Sequence, residues 1–377
     1  MTRIAISGVR GLLGWHTAAR LHARNCAARY KGDPEPFSLV LLDRHDFASA
    51  EILGERLRGA DLVLHFAGIN RGTDAEVEQG NPQIAQLIVA ACSRAGITPH
   101  LVYANSTHAA SDTVYGNSKR IAGQILGNFA GSNYTDLVLP HIFGECARPF
   151  YNNVTATLID QLWNGIIPQV NPVGRVNLLH AGRAAETAIE AGLRGSGGRI
   201  APDGKSMSVL DLWEKLRGFH DLYTRQIFPD LSDPLDLALF NCLRTGGFPT
   251  HYPLSLSVNR DHRGCLFESA KGGNASHTFL SSTLPGKTRG DHFHIDLVER
   301  FLVVSGEAVI RVRKVLDGTI HEFPVSGSQP VAIDMPPLHT HHIENRGHSE
   351  LITFFWSHRM FDPANPDTFA DPVKLTP

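Results

Sequence analysis

The chain has 377 residues, 19% of them charged, and a formal net charge of −2. That length provides for two or three domains with sizeable cores, while the near-neutral balance excludes nucleic acid or membrane as partners gathered by bulk charge. The five cysteines (Cys26, Cys92, Cys146, Cys242, Cys265) are odd in number and without C-x-x-C spacing, and no secretory leader or membrane span is read, so a reduced, cytoplasmic protein is expected.

Residues 3–7 are alternating and apolar, and Gly8-Val-Arg-Gly11-Leu-Leu-Gly14 then opens an amphipathic segment from Leu12 to about Ala28. A strand, a glycine turn and a helix start place backbone N–H groups and a positive helix end against a diphosphate. Three glycines also suit a plain strand–helix junction. The next strand, Phe37 to Leu42, ends in Asp43-Arg44. The acid would accept from an adenosine ribose and favour NAD; the base would pair with a 2′-phosphate and favour NADP. With both present, NADPH and NAD(H) stay open at this point.

Strand Leu62–Phe66 leads into Ala67-Gly68, small enough for close approach of a dinucleotide, and Asn81 opens a helix from Pro82 to Cys92. Strand Leu101–Ala104 ends in Asn105-Ser106-Thr107, followed by Tyr115-Gly-Asn-Ser-Lys119 and a helical run to about Phe129. Tyr115 and Lys119 are four apart and share a helical face. A nearby ammonium favours the ionised phenol. Tyr115 is therefore expected to protonate a carbonyl oxygen as hydride arrives, with Ser106 or Thr107 as second donor. Residues 205–243 read as helices of a small substrate-side lobe, and the turn-rich stretch Thr245–Pro253 closes the first domain, 1–253.

The order of these elements resembles the extended short-chain dehydrogenase/reductases across about residues 1–250. The family pattern falls on Gly8, Gly11, Gly14, Ala67-Gly68, Asn81, Ser106, Tyr115 and Lys119. It implies an NAD(P)-binding Rossmann-type doubly wound parallel sheet with Tyr115, Lys119 and Ser106 catalytic. The chain departs from the pattern at Val138 and His141, where the family usually has Arg and Asn, and at Ala181-Gly182-Arg183, where it has V-D-D. Arg148 and Tyr151 read either as contacts to a substrate diphosphate or as exposed loop residues.

The second domain, 254–377, reads as period-two strands. Its centre is Gly286-Lys-Thr-Arg-Gly-Asp-His292-Phe-His294-Ile-Asp-Leu-Val-Glu299, closing at Gly306. Histidines two apart on a strand project to one face. A second segment, Pro336-Pro-Leu338-His339-Thr-His341-His342-Ile-Glu-Asn345, brings further imidazoles. Imidazole and carboxylate converging in a small barrel make a divalent-metal site or an acid/base pocket. The two segments resemble the cupin motifs, which implies an all-β jelly roll with His292, His294, Glu299 and His341 as ligands. Zinc is the metal expected. Leu338 stands where the family has Gly, so a reshaped turn is expected there.

Asp261-His-Arg263-Gly264-Cys-Leu-Phe267-Glu268 resembles the opening of deoxysugar epimerases of the same roll, whose catalytic histidine overlays His292. His292 thus has two candidate roles, ligand and base. The tail Met360–Phe369 is expected over the barrel or at a subunit contact.

Taken together, the chain resembles a family of bifunctional capsular polysaccharide synthesis enzymes, reductase in front and cupin behind. The resemblance implies a UDP-linked amino-sugar substrate, a homodimer, and a route to UDP-N-acetyl-L-fucosamine. The cupin domain would epimerise a UDP-4-keto-6-deoxy-N-acetylhexosamine at C3, and the reductase would then reduce its C4 ketone. The family's Arg after the second strand falls on Arg44 and favours NADPH; His339 stands where the family has Tyr. Two rival readings make the cupin a dimerisation or structural metal module, or a metal-dependent oxygenase.

Overall fold

The computed structural model describes residues 1–256, 258–261, 264–267, 269–272 and 276–374. The chain divides into two compact units, Met1–Ala147 with Arg175–Met207, and Arg148–Gly174 with Ser208–Pro377. The break expected at 253/254 falls inside the second unit, because the small-lobe helices share their core with the antiparallel strands.

In chain order the elements begin β1 (Thr2–Ser7), α1 (Leu12–Tyr30), β2 (Phe37–Leu42), α2 (Ala50–Leu57), β3 (Leu62–His65), α3 (Asp74–Ala95), β4 (His100–Ser106), α4 (Val114–Ala130), β5 (Tyr134–Leu139) and β6 (His141–Phe143). Helix α5 (Val154–Trp163) belongs to the second unit; β7 (Arg175–His180), α6 (Ala181–Arg194), β8 (Gly198–Ile200) and β9 (Lys205–Ser208) complete the first. The first unit is a parallel sheet ordered β2-β1-β3-β4-β5-β8, with a small sheet β6-β7-β9. Neighbouring strand residues point to opposite faces. Ile4, Ile6, Leu62 and Leu64 therefore pack with α1 and α6, while Ala5, Val63, Leu101 and Tyr103 pack with α2, α3 and α4. Both faces are apolar and both are covered, the doubly wound arrangement.

Helix α3 starts eight residues before the predicted Pro82. Thr73 caps it, with the Glu76 side chain bonding back to the Thr73 amide, so a reciprocal capping box outweighs the proline retained inside. Asn81 sits within the helix, bonding the Ile69 backbone and Ser118.

The second unit adds α7 (Val209–Thr224), α8 (Pro234–Gly247), β10 (Leu254–Ser255), β11 (Val258–Asp261), β12 (Gly264–Phe267), β13 (His277–Thr283), β14 (Thr288–Phe293), β15 (Glu299–Ser305), β16 (Glu307–Lys314), β17 (Ile320–Ser326), β18 (Val331–Met335), β19 (His339–Asn345), β20 (Leu351–Ser357) and β21 (Phe369–Ala370). Two five-stranded sheets, β10-β18-β15-β20-β13 and β17-β16-β19-β14-β21, enclose one core of Phe301, Val303, Ile310, Val312, Ile333, Ile343 and Phe355. The fold class read from the sequence, a Rossmann-type parallel sheet followed by an antiparallel β roll, is the one found. Helices α7 and α8 join that core through a fully buried network: Arg300 pairs with Asp334 at 2.6 Å, Tyr223 donates to Asp334, and Arg244 donates to the Met335 carbonyl.

The turn before β19 is not reshaped. Leu338 itself adopts φ 57° and is fully buried, so burial of its side chain offsets about 1–2 kcal/mol of left-handed strain. The tail lies on the roll, Phe369 and Ala370 pairing with Phe293 and His292 of β14.

Candidate active sites

In the first unit the glycine loop is shaped by close packing. Gly8 has φ 72°, and a Cβ there would meet the Ala67 nitrogen at 2.8 Å; one at Gly14 would meet the Gly8 oxygen at 2.2 Å. Gly11 begins α1 with no side-chain cap and no acid in the first turn, which leaves the helix N-terminus open to an anion. At the end of β2, Asp43 is held below the ordinary carboxylate range, chiefly by the His45 N–H. Its other oxygen accepts from Arg10 at 2.9 Å. Arg10 was not singled out from the sequence; its place inside the glycine loop was the available signal. Arg44 is exposed beside it. Ala67 donates to Ser7 Oγ, and a Cβ on Gly68 would lie 3.9 Å from Lys119 Nζ. Gly8, Gly11, Gly14, Asp43, Arg44, Ala67 and Gly68 thus lie at the strand ends and turns of this sheet.

Ser106 ends β4 and caps the short turn after it, accepting from the His108 N–H. Thr113 caps α4, which carries Tyr115 and Lys119 on one face. Burial pushes the Tyr115 phenol above its ordinary value, with a hydrogen bond to Ser106 pulling the other way. The expected influence of Lys119 on that phenol is not what dominates. Lys119 donates instead to the Ala104 carbonyl at 2.6 Å and sits 4.1 Å above the Tyr103 ring. Burial pushes its ammonium down to about 7, with Asp136 opposing. Tyr115 is thus a neutral proton donor paired with a hydroxyl, the form a carbonyl reduction needs.

A second cluster in this unit escaped sequence reading, because its members are scattered: His16 on α1, Glu145 after β6, His180 ending β7. Arg20 donates to His16 Nδ1, which leaves His16 Nε2–H facing Glu145 at 3.2 Å from its carbonyl. His180 Nε2 lies 2.9 Å from the same carboxylate. Both rings face the carboxylate, so as it stands the cluster is a hydrogen-bonded network.

In the second unit, β14 and β19 pair His292 opposite His341, with a register shift at Asp291, φ 56°. Such bulges re-aim side chains. His292, His294 and His341 converge with ring centroids 4.8–5.3 Å apart, and Glu299 from β15 lies 3.1 Å from His294 Nε2 and 3.7 Å from His341 Nε2. The ligand atoms of all four lie within 4.8 Å of one another. His341 Nδ1 bonds its own strand at the His339 carbonyl, and His294 Nδ1 bonds the Asp367 carbonyl, so both Nε2 atoms face inward.

Burial alone would raise the Glu299 carboxyl, but His294 and His341 outweigh it and hold it well below the ordinary range. Burial likewise works against protonated His294, and Glu299 outweighs it. His341 Nε2 is buried without a hydrogen-bond partner. Three imidazoles and a carboxylate with one orphaned nitrogen fit a divalent ion such as zinc, which would displace the proton His294 shares with Glu299. Alternation sends His342 to the opposite face, 2.9 Å from Asp291, and His339 Nδ1 bonds the Pro337 carbonyl. Arg148 stacks on the exposed Tyr151 at 5.4 Å. His262, Arg263 and Glu268 of the epimerase-like motif lie outside the described residues, as do the side chains of Asp261 and Phe267.

Among the described residues no helix is long and apolar enough to cross a membrane. Residues 4–185 match the NAD dependent epimerase/dehydratase family and residues 259–369 the polysaccharide biosynthesis C-terminal domain. The chain is 28% identical, over 98% of both sequences, to the UDP-2-acetamido-2,6-beta-L-arabino-hexul-4-ose reductase of Pseudomonas aeruginosa. It is similar to the crystal structure of the capsular polysaccharide assembling protein CapF from Staphylococcus aureus, with 26% identity, TM-score 0.57, and 99% and 100% of the two chains covered. The UDP-N-acetylglucosamine 4-epimerase of Bacillus cereus shares the fold over 59% of this chain and 82% of its own, with 19% identity and TM-score 0.50.

Proposed function

We propose, from the premise that this chain is a relative of CapF with an epimerase/dehydratase domain ahead of a polysaccharide biosynthesis C-terminal domain, that it acts twice on one nucleotide sugar. The antiparallel roll, read as a cupin, epimerises a UDP-4-keto-6-deoxy-N-acetylhexosamine at C3. The parallel-sheet unit then reduces the C4 ketone with NADPH, towards UDP-N-acetyl-L-fucosamine for surface polysaccharide. The substrate in the name of the Pseudomonas relative, a 4-keto UDP-acetamido sugar, supports the substrate class. The observation that carries the reading is the half-buried Tyr115–Ser106 pair, Ser106 at the end of β4 and Tyr115 on α4, with buried Lys119 one turn further along the same helix.

NADPH, when bound there, supplies the hydride. Tyr115 gives its phenolic proton to the C4 oxygen, and Ser106 holds that oxygen in line by its hydroxyl. Lys119, fixed by the Ala104 carbonyl, keeps positive charge beside the forming alkoxide. Arg10 and Arg44 flank Asp43, where a 2′-phosphate would need cations, which favours NADPH.

In the roll, a C4 ketone acidifies the C3 proton; a base removes it from one face to leave an enolate, and a solvent-derived proton returned to C3 on the other face completes the inversion. His292 is the least enclosed of the four convergent groups and is the base we assign; His294, Glu299 and His341 would hold the metal. A bound divalent ion would act as a Lewis acid towards the enolate oxygen.

The test is incubation with a UDP-4-keto-6-deoxy sugar in deuterated water, with and without NADPH. Deuterium at C3 without NADPH, and reduced product only with it, is the expected result. No C3 deuterium from a metal-loaded chain would leave the roll a structural module.

A further inference from the structure

We infer that Asp367, in the C-terminal tail, is a positioning residue for the histidine–glutamate cage, acting through His294. His294 and Asp367 are 73 residues apart, yet the Asp367 carbonyl accepts from His294 Nδ1 at 2.6 Å. The same residue's carboxylate accepts from the backbone N–H groups of Ile295 at 2.8 Å, Asp296 at 3.0 Å and Leu297 at 2.9 Å. Arg359 closes the set at 3.1 Å. Asp367 is buried and holds φ 44°, a conformation that persists only where surroundings enforce it. The enforcing contacts are those amides and the pairing of Phe369 and Ala370 with β14.

The physical argument is one of tautomer and aim. A ligand imidazole presents a lone pair to a metal only when its other nitrogen carries the proton, and the acceptor of that proton sets the ring's orientation. His341 takes its acceptor from its own strand, at the His339 carbonyl 3.1 Å away, so strand geometry alone aims it. His294 lies just past the end of β14, and its acceptor arrives from the tail. The carboxylate clamp on residues 295–297 keeps that carbonyl against the ring. Without the clamp, His294 is free to rotate or to take the other tautomer while His341 stays fixed.

This inference rests on the metal reading of the cage, and the test keeps the two apart. The full chain is loaded with cobalt(II), and its loss to excess EDTA is followed by visible absorption, for wild type, D367A, D367N and H341A. Thermal unfolding of each metal-free chain is measured alongside. D367A is expected to lose cobalt about 10- to 100-fold faster, with an altered visible spectrum. D367N retains one acceptor oxygen and is expected to move the same way by less; where D367A does not fold, D367N carries the test. A wild-type spectrum and release rate in the folded variant, with only the unfolding temperature lowered, would reduce Asp367 to a structural clamp and overturn the inference. Cobalt uptake by wild type that H341A abolishes upholds the metal reading in either case; no uptake by wild type overturns both.

Discussion

Lys119 in the parallel-sheet unit and His341 in the antiparallel unit are both buried nitrogen bases, and the fold treats them differently. Lys119 already has what it needs from the chain, the Ala104 carbonyl at 2.6 Å and the Tyr103 ring beneath it. His341 is held at Nδ1 but has no partner at Nε2. The first arrangement is complete and awaits a substrate whose charge develops during reaction. The second, on the reading proposed above, would be completed by a cation. Burial and displaced pKa values mark both, so they do not tell a proton-transfer site from a metal cage; at His341 the convergence of three imidazoles and a carboxylate adds to the unsatisfied atom.

If the two sites are separate in chemistry, Tyr115→Phe should break one and spare the other. Losing the proton donor is expected to lower NADPH oxidation by about 10²- to 10⁴-fold, with solvent deuterium still entering at C3. Parallel loss of both signals would mean a shared pocket. The converse variant, His292→Ala, should abolish C3 exchange while leaving reduction of the already epimerised sugar intact.

A buried cation with a full carboxylate partner sharpens the contrast. Arg300 and Asp334 are both fully buried, so Asp334→Ala leaves an uncompensated guanidinium and is expected to cost about 3–5 kcal/mol in chemical unfolding. A loss under about 1 kcal/mol would show that Gln226 and the Ser269 carbonyl, which also accept from Arg300, suffice to hold the charge.

How much of this was legible varies with the range of the contacts. Period-two strands, the glycine turn and the four-residue spacing of Tyr115 and Lys119 are local, and the structure places them as read. The convergence of the roll's His292, His294 and Glu299 was legible because a strand repeats every second residue and the three sit on adjacent segments. The capping box Thr73-x-x-Glu76 was there to be read, but Pro82 drew the helix start towards it. The His16–Glu145–His180 network and Asp367 were not legible. Each acts across tens of residues, and a lone His or Asp carries no spacing signal. The partition of the small-lobe helices was hidden for the same reason, since Arg244 and Tyr223 meet partners 91 and 111 residues further along the chain.

Leu338 offers a middle-sized test of how tightly the cage depends on its frame. Leu338→Gly removes about 1–2 kcal/mol of left-handed strain but loses a buried side chain worth about 2–5 kcal/mol. A net cost of about 1–3 kcal/mol is expected in thermal or chemical unfolding. Cobalt release should not change, because the Leu338 amide still donates to the His294 carbonyl at 2.7 Å. Faster release would place the metal site's rigidity in this turn as well as in the tail.

The pH-dependent effect belongs to the first unit. His65 is buried, hydrogen-bonded to Ser7 Oγ at 2.7 Å, and held neutral: burial chiefly, then the Lys119 ammonium, pushes it down to about 3 from an ordinary 6.5. A base depressed in the folded state takes up its proton in the unfolded chain first. Above pH 6.5 neither state is protonated at this ring, and it contributes no pH dependence. Between 6.5 and about 3 only the unfolded state is charged, so stability falls as pH drops, by about 1.4 kcal/mol for each pH unit. His65→Asn is expected to reduce the slope of unfolding free energy over that window by one proton, read from denaturant titrations at successive pH values. An unchanged slope would mean that His65 is charged as readily in the fold as out of it, and that the parallel-sheet unit, unlike the roll, leaves its buried ring open to protons.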